Sequence, residues 1–317
     1  MKFRTEVEIL PSQQKIKTSD SIFSIGSCFA TEISGKLADG QLQVLNNPFG
    51  TLFNPWAVKN SIQQIYDCKV YTEEDLVLYQ NEYLSLHHHT FFNSEYAHKT
   101  LEKINSKIEE ANTFLRNSNW VIITYGTAYV YEFLPQNILV ANCHKIPQKF
   151  FKKRFLTHEE ITQSIQESIK YLNDICQNDV QILFSVSPVR HTKDGMVENN
   201  LSKAKLINAL HEVISQNENC TYLPIYEIVM DDLRDYRFYK EDFIHPNHQA
   251  IQYVWEKFGK AYFNEETQSF IQENLKIKQA LGHRPNNEHS AKHQEFLAQI
   301  KNRIALQQAK VKHKIFN

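Results

Sequence analysis

Three short apolar runs, each followed at once by glycine or serine, constrain the fold of this chain more than any other feature. The runs are residues 21–25, Trp120–Tyr125 and Gln181–Val186, which are followed by Gly26, Gly126 and Ser187. Runs of this length between turn residues are typical of strands that are buried on both faces. Amphipathic helices are predicted between or after them, at residues 29–37, 157–172 and 197–214. Because parallel strands need crossover connections, which are usually helices, the pattern predicts a three-layer α/β/α fold with a mainly parallel sheet.

The remaining segments predict additions to this sheet. Residues 221–224 fit a last short strand before a helical stretch at 225–233, and residues 76–92 and 129–140 alternate like two inserted hairpins. After about residue 263 the strand signals stop, and residues 265–280 and 290–314 fit two helices. We therefore predict a first domain at residues 1–262 and a C-terminal helical extension at 263–317, which is a candidate for homo-oligomer formation.

Composition sets limits on the possible partners. The 317 residues carry a net charge of -1, which gives no electrostatic reason to expect nucleic acid binding. No stretch fits a signal peptide or a membrane span, so we expect a cytoplasmic protein without a membrane partner. The five cysteines have no Cys-x-x-Cys spacing, which favours reduced thiols. His87, His88 and His89 are consecutive, and on a strand they would point to alternate faces, so we predict no metal site and no cofactor.

Two residues with nucleophilic side chains, Ser27 and Cys28, stand where the first strand turns into a helix. The N–H groups at a helix N-terminus lower the pKa of a thiol and can stabilise a developing oxyanion. The alternative is structural, with Ser27 as a helix cap and Cys28 as a small buried side chain.

A second pair with catalytic chemistry lies near the end of the first domain. Asp242 precedes His245 by three residues, and Pro246 suits the start of the helix that follows. In such a loop the histidine can act as a general base while the carboxylate orients it. The alternative is that Asp242 only caps the loop and His245 packs against it.

Further candidates follow the later strands. Arg190 could hold a carboxylate or phosphate, or it could form a salt bridge with Asp194 or Glu198, and His191 is a second candidate for the general base. Asn142 and His144 have either a role in the site or a structural role at a hairpin exit.

Together these stretches resemble one family. The chain is similar to GSCFA family proteins, which are themselves similar to the SGNH/GDSL hydrolases, and it contains the sequence Gly-Ser-Cys-Phe-Ala at residues 26–30. The other similar stretches are residues 47–51, 125–128, 142–145, 187–191, 200–203 and 242–246. The resemblance covers roughly the first 260 residues, and it is the combination of motifs that is specific.

The resemblance implies roles for individual residues. The nucleophilic serine of the Gly-Asp-Ser block corresponds to Cys28, with Ser27 as the alternative if the turn is shifted by one residue. The second-block glycine corresponds to Gly50 and the third-block glycine to Gly126, which implies a place for both in the oxyanion hole. The third-block asparagine is replaced by Ala128, so that either another donor such as Asn142 or His144 takes its place or the activity is weak or absent.

We therefore expect an SGNH-like esterase or acyltransferase that forms a covalent acyl-enzyme with a small molecule or an acylated glycan. Cys28 or Ser27 would be the nucleophile, His245 the base and Asp242 the residue that orients it. A rival hypothesis is a binding module without catalysis, in which Arg190 and His191 hold an anionic small molecule or glycan. A third is an assembly protein that oligomerises through its C-terminal helices.

Overall fold

The structure is a computed structural model that describes residues 4–282 and 291–316. A five-stranded sheet lies at its centre, with the strand order β10-β9-β5-β1-β2 and every neighbouring pair parallel. These strands are β1 (Ser21–Gly26), β2 (Gln43–Asn46), β5 (Trp120–Tyr125), β9 (Gln181–Val186) and β10 (Cys220–Tyr222).

The main helices cover both faces of this sheet. They are α1 (Cys28–Asp39), α2 (Pro55–Tyr66), α3 (Ala97–Arg116), α4 (His158–Ile175), α5 (Met196–Ile214), α7 (His248–Tyr262) and α8 (Glu265–Leu281). Alternate residues of one strand face opposite layers. Val121 and Ile123 pack with α2 to α5, whereas Trp120 and Ile122 pack with α1, α7 and α8. The predicted three-layer α/β/α fold is therefore confirmed.

Smaller elements surround the sheet. They are the hairpin β3 (Val77–Tyr79) and β4 (Glu82–Leu84), the antiparallel sheet of β6 (Tyr129–Phe133), β7 (Ile138–Val140) and β8 (Phe151–Phe155), the short helix α6 (Ile225–Glu227) with a π-helical turn at Ile228–Leu233, and α9 (Ala291–Gln308). Both predicted hairpins are present. The three consecutive histidines lie in a turn after β4 and not on a strand, so that part of the sequence interpretation is wrong.

The C-terminal helices pack against the first domain. Phe270 and Ile271 of α8 belong to the same apolar layer as Phe29 of α1, and the side-chain amide of Asn274 donates to the carbonyl oxygen of Gly40 at 3.0 Å. The predicted boundary at residue 263 falls between α7 and α8, and both helices contribute to that layer. The division into two domains and the homo-oligomer stay predictions. The first residue of the predicted helix 290–314 lies outside the described residues. The described part forms α9, which ends at Gln308.

Candidate functional site

The strand order reverses between β1 and β5. From β1 the chain adds β2 on one side, whereas β5, β9 and β10 follow on the other. In open parallel sheets, ligands bind at the carboxyl ends of the strands where the order reverses in this way. Here that point, called the crevice below, lies between the turn after β1, which leads through Ser27 to Cys28, and the turn after β5, which begins at Gly126.

A tight turn connects β1 with α1. Gly26 has φ +137°, and a Cβ atom added there would overlap the carbonyl oxygen of Thr124 in β5. The N–H of Ser27 donates to that same oxygen at 2.9 Å. Only glycine tolerates this close approach in this backbone conformation, so Gly26 fixes the direction in which the next two residues leave the sheet.

The two candidate nucleophiles differ in accessibility. Ser27 is the N-cap residue of α1, but its side chain makes no capping bond, and with 1% exposure its hydroxyl is buried without a hydrogen-bond partner among the described residues. Cys28 is the first residue of the helix and is partly exposed. Burial raises the pKa of its thiol, while its own N–H and the hydroxyl of Thr51 act in the opposite direction. The thiol, and not the hydroxyl, is therefore the accessible one of the two candidate nucleophiles.

Asp242 and His245 form a hydrogen-bonded pair. Oδ2 of Asp242 lies 2.7 Å from Nδ1 of His245, and Oδ1 accepts the N–H groups of Ile244 and His245. The N–H of His245, followed by its ring, lowers the pKa of Asp242 well below its usual range. Nε2 of His245 takes part in no hydrogen bond of the described residues, and the side chain is 40% exposed. The carboxylate therefore holds the ring with its second nitrogen available.

Contacts on both sides hold the loop that carries this pair at the crevice. Lys240 donates its N–H to the carbonyl oxygen of His245 at 2.7 Å, and its ammonium group lies 3.9 Å from Glu32 in α1. The charge of Glu32 raises the pKa of the Cys28 thiol, and the charge of Lys240 lowers it. On the opposite side, the N–H of Arg190 donates to Ile244 at 3.2 Å. The structure thus brings the nucleophile candidates and the Asp242/His245 pair to one edge of the sheet.

Arg190 is held mainly by aromatic rings. Its guanidinium lies 4.1 Å from the ring centre of Tyr239 and 5.1 Å from that of Tyr236, and Nη1 is 3.4 Å from the carbonyl oxygen of Phe243. Neither of the carboxylates considered as salt-bridge partners, Asp194 and Glu198, pairs with it in the described part of the chain. Asp194 pairs with Lys153 instead.

His191 lies against the turn after β5. Its ring packs edge-on against Phe53 with the ring centres 6.0 Å apart, and Nε2 lies close to Gly126. Its backbone N–H donates to Asn199 at 2.9 Å. Burial, together with the charge of Lys203, lowers the pKa of His191 to about 4. The ring is therefore neutral at pH 7.

The predicted oxyanion donors are already hydrogen-bonded. The N–H of Gly50 donates to Asn47 at 2.8 Å, and the N–H of Gly126 donates to Phe53 at 2.7 Å. The side-chain amide of Asn142 donates to the carbonyl oxygen of His88 at 3.3 Å. A role in the oxyanion hole stays a prediction for all three. It would require Gly50 and Gly126 to give up their present acceptors, whereas the amide of Asn142 has a second N–H.

His144 and Ala128 are both part of the interior. Nε2 of His144 lies 2.7 Å from the carbonyl oxygen of Ser85, and burial lowers its pKa. Ala128 is fully buried and donates its N–H to the hydroxyl of Ser202 at 2.7 Å. The side chain that replaces the third-block asparagine therefore offers no donor.

Lys203, which was not among the residues predicted for the site, lies beneath it. Its Nζ donates to the carbonyl oxygens of Gly126 at 2.6 Å and Ser187 at 2.7 Å. The side chain is fully buried, and burial lowers its pKa to about 7. It joins the turns after β5 and β9. A signal was available, because Lys203 lies three and seven residues before Leu206 and Leu210 on the apolar face of α5.

These features define a three-layer α/β protein in which a helix-terminal thiol and an Asp–His pair share the carboxyl edge of a parallel sheet. The chain belongs to the GSCFA family, whose model matches residues 21–258. A second model, the C-terminal domain of GSCFA domain proteins, matches residues 275–316. The resemblance inferred from the sequence motifs is thereby confirmed.

Comparison with solved structures finds distant neighbours. A carbohydrate esterase family 3 protein from Talaromyces cellulolyticus has 8% identity and a TM-score of 0.38, covering 80% of this chain and 99% of its own. A DUF4886 family protein from Bacteroides uniformis has 10% identity and a TM-score of 0.40, covering 93% of this chain and 97% of its own. No curated protein matches the sequence.

Within residues 4–282 and 291–316, no helix combines the length and apolar character needed to cross a bilayer. In the same ranges no three His, Cys, Asp or Glu side chains are grouped as metal ligands would be. The cytoplasmic address stays a prediction.

Proposed function

We propose that the protein is an esterase or acyltransferase that works through an acyl-thioester on Cys28. The observation that carries this proposal is the contrast between the accessible thiol of Cys28 and the buried hydroxyl of Ser27, at an edge that also holds the Asp242/His245 pair.

Each side chain has a definite task in this reaction. Burial raises the pKa of the Cys28 thiol, so the thiol needs a base at neutral pH. Nε2 of His245 accepts the proton as sulfur attacks the acyl carbonyl carbon, and Asp242 stabilises the resulting imidazolium. The carbon–oxygen bond of the ester then breaks, and the alcohol leaves with the proton from His245. Water or an acceptor hydroxyl afterwards attacks the thioester, releases the acyl group and returns the proton to sulfur.

The substrate class follows the proposed chemistry, and we infer an acylated small molecule or glycan. Arg190 stands at the same edge and would contact a polar group of the substrate outside the ester itself. Its guanidinium is already stacked on Tyr236 and Tyr239. It is therefore pre-oriented, which lowers the entropy cost of binding.

The experiment is intact-protein mass spectrometry after incubation with an activated acyl ester such as p-nitrophenyl acetate. We expect one acyl adduct that is absent in Cys28→Ala, retained in Ser27→Ala and slow to form in His245→Ala. Cys68→Ala is the matched control, because Cys68 is exposed and distant in sequence from the site. An adduct lost in Ser27→Ala but kept in Cys28→Ala would overturn the assignment of the nucleophile.

A second candidate function is a binding module that holds an acylated ligand without turning it over. It is favoured by the occupied N–H groups of Gly50 and Gly126 and by the buried Ala128, since an acyl-transfer site needs free donors for its oxyanion. If no adduct forms under conditions that acylate a known thiol esterase, while calorimetry detects binding of the ester, this second function is supported.

A further inference from the structure

One face of α5 is polar although it is buried. Asn199, Ser202 and Lys203 are spaced by three and four residues along the helix, which places their side chains on the same face. Each of them has an exposure of 3% or less. Buried polar side chains destabilise a fold unless hydrogen bonds replace the lost contacts with water. The hydrogen bonds of this face therefore indicate its role.

Ser202 and Lys203 hold the turn after β5 at three consecutive residues. Nζ of Lys203 donates to the carbonyl oxygen of Gly126 at 2.6 Å. The hydroxyl of Ser202 accepts the N–H of Ala128 at 2.7 Å and lies 3.0 Å from the hydroxyl of Thr127. This turn forms one side of the crevice, so α5 fixes that side of the site.

The same face also holds the segment after β9. Nζ of Lys203 donates to the carbonyl oxygen of Ser187 at 2.7 Å, and this is its second bond. The side chain of Asn199 accepts the backbone N–H of His191 at 2.9 Å. These two bonds bracket residues 188–190 and attach them to the helix.

The bracketed segment is joined in turn to the loop that carries the Asp242/His245 pair. The N–H of Arg190 donates to the carbonyl oxygen of Ile244 at 3.2 Å. The N–H of Ile244 donates to Oδ1 of Asp242 at 2.9 Å. The position of the proposed base relative to Cys28 therefore depends on the turns that α5 holds.

Lys203 joins the ends of β5 and β9 where the backbone alone does not. The N–H of Ser187 donates to the carbonyl oxygen of Tyr125 at 2.8 Å and connects the two strands at their carboxyl ends. Just beyond this bond, the carbonyl oxygens of Gly126 and Ser187 both accept from Nζ of Lys203. Two carbonyl oxygens are both acceptors and cannot bond to each other, so a donor from outside the sheet is required.

We propose that Asn199, Ser202 and Lys203 are positioning residues that set the distance between the nucleophile and its base. Of the three, Lys203 has the largest effect because it alone bonds to both turns. The proposal rests on the acyl-thioester function proposed above. Residues 200–203 form one of the family-like stretches, to which the sequence motifs gave no role.

The first test compares Lys203→Met, which removes both hydrogen bonds at similar side-chain length, with Lys205→Met on the same helix. Lys205 is half-buried, and its ammonium group lies 5.6 Å from the ring centre of Phe155, outside both turns. A misplacement of about 1 Å can cost about 100-fold in rate. We therefore expect Lys203→Met to lower kcat for p-nitrophenyl acetate by about tenfold to 100-fold. KM should change little, since no group that contacts the substrate is removed.

Lys205→Met should behave as wild type in the same assay. An unchanged kcat in Lys203→Met, or an equal loss of kcat in Lys205→Met, would overturn the proposal.

Hydrogen exchange measured by mass spectrometry tests the positioning without requiring activity. We expect faster exchange in Lys203→Met at residues 126–128 and 187–191, because the two turns open locally, and wild-type exchange in β1. A general loss of stability would instead accelerate exchange in β1 as well. That result, or unchanged exchange at both turns, would contradict the positioning role.

Ser202→Ala is the second variant, and it decides the question if Lys203→Met does not fold. It loses only bonds to the turn after β5, so exchange should rise at residues 126–128 and not at 187–191. Wild-type exchange at residues 126–128 would count against the proposal. If the wild type forms no acyl adduct on Cys28 while exchange in the variants rises as expected, the acyl-thioester function is refuted and the positioning of the turns is supported.

Discussion

Replacing Gly26 with alanine tests whether the turn after β1 builds the site as described. The new methyl group would overlap the carbonyl oxygen of Thr124 and lie 2.9 Å from the carbonyl carbon and nitrogen of that residue. The residue would also keep φ at +137°, a region that costs a non-glycine residue about 1–3 kcal/mol. Overlap in a packed interior adds about 1–3 kcal/mol. We therefore expect the free energy of unfolding to fall by about 2–6 kcal/mol.

Gly35 supplies the matched control, because it lies within α1, only nine positions further along the chain. A Cβ atom there would have no neighbour within 4 Å, and Gly35 is exposed. Alanine is favoured over glycine in a helix by about 1 kcal/mol, so Gly35→Ala should raise the free energy of unfolding. The same chemical change thus has opposite signs at two positions of one strand–helix unit.

Urea unfolding followed by tryptophan fluorescence measures both variants, since Trp120 is buried in β5, the strand that pairs with β1. A Gly26→Ala variant within about 1 kcal/mol of wild type would refute the reasoning, because the predicted strain and overlap exceed that value. A loss of equal size in Gly35→Ala would refute it as well.

Three further predictions concern other parts of the molecule. Burial lowers the pKa of Lys203 from its ordinary value of 10.5 to about 7. Between these two pH values the lysine is protonated in the unfolded chain but largely neutral in the folded protein. The free energy of unfolding should therefore rise with pH in this range. Urea midpoints measured across that range should show the rise in wild type and not in Lys203→Met, and an equal rise in both would contradict it. The pKa of Asp242 is lowered in the folded state, so its stabilising effect is present above the ordinary value of 3.8 and is lost as pH falls below it. Acid unfolding of Asp242→Asn should therefore be less steep in that range than that of wild type, and identical acid curves would count against the pair. Phe270→Ala should lower the free energy of unfolding by about 3–5 kcal/mol without changing the mass in solution, since the ring is buried in the layer around α1. A changed mass by light scattering at unchanged stability would point instead to an oligomer interface.

Local sequence was sufficient where an element is buried on both faces. The runs at Trp120–Tyr125 and Gln181–Val186 are mainly apolar, and both are interior strands of the sheet with the predicted bounds. Local sequence was insufficient for strands that are only partly buried. The edge strand β2 has the mixed sequence Gln-Val-Leu-Asn and is half-buried, and β8 contains three consecutive basic residues at 152–154. Such strands carry little apolar signal, because one side or edge is in contact with water.

Helices α2 and α3 were missed for a different reason. Ile104, Ile108 and Leu115 of α3 recur at helical spacing and are buried, so the pattern was present in the sequence. Asn54 and Pro55 likewise form a typical helix start for α2, with the side chain of Asn54 accepting the N–H of Ala57 at 2.8 Å. These are errors of interpretation rather than a limit of the sequence.

What the sequence by itself determined is the local chemistry. Short segments of the chain carry this chemistry: a glycine at position 26, a thiol at the first residue of the following helix, and an aspartate three residues before a histidine. The three-residue spacing suffices to place Asp242 against His245.

Only the tertiary structure decided which groups are available. It fixed the strand order that opens the crevice between β1 and β5, buried Ser27 while leaving Cys28 accessible, and occupied the N–H groups of Gly50 and Gly126. It also brought Lys203 beneath two turns that precede it by 77 and 16 residues. Exposure and hydrogen-bond partners at these positions depend on segments far apart in the chain. No local pattern encodes them, because each contact exists only after the sheet and its helices have assembled.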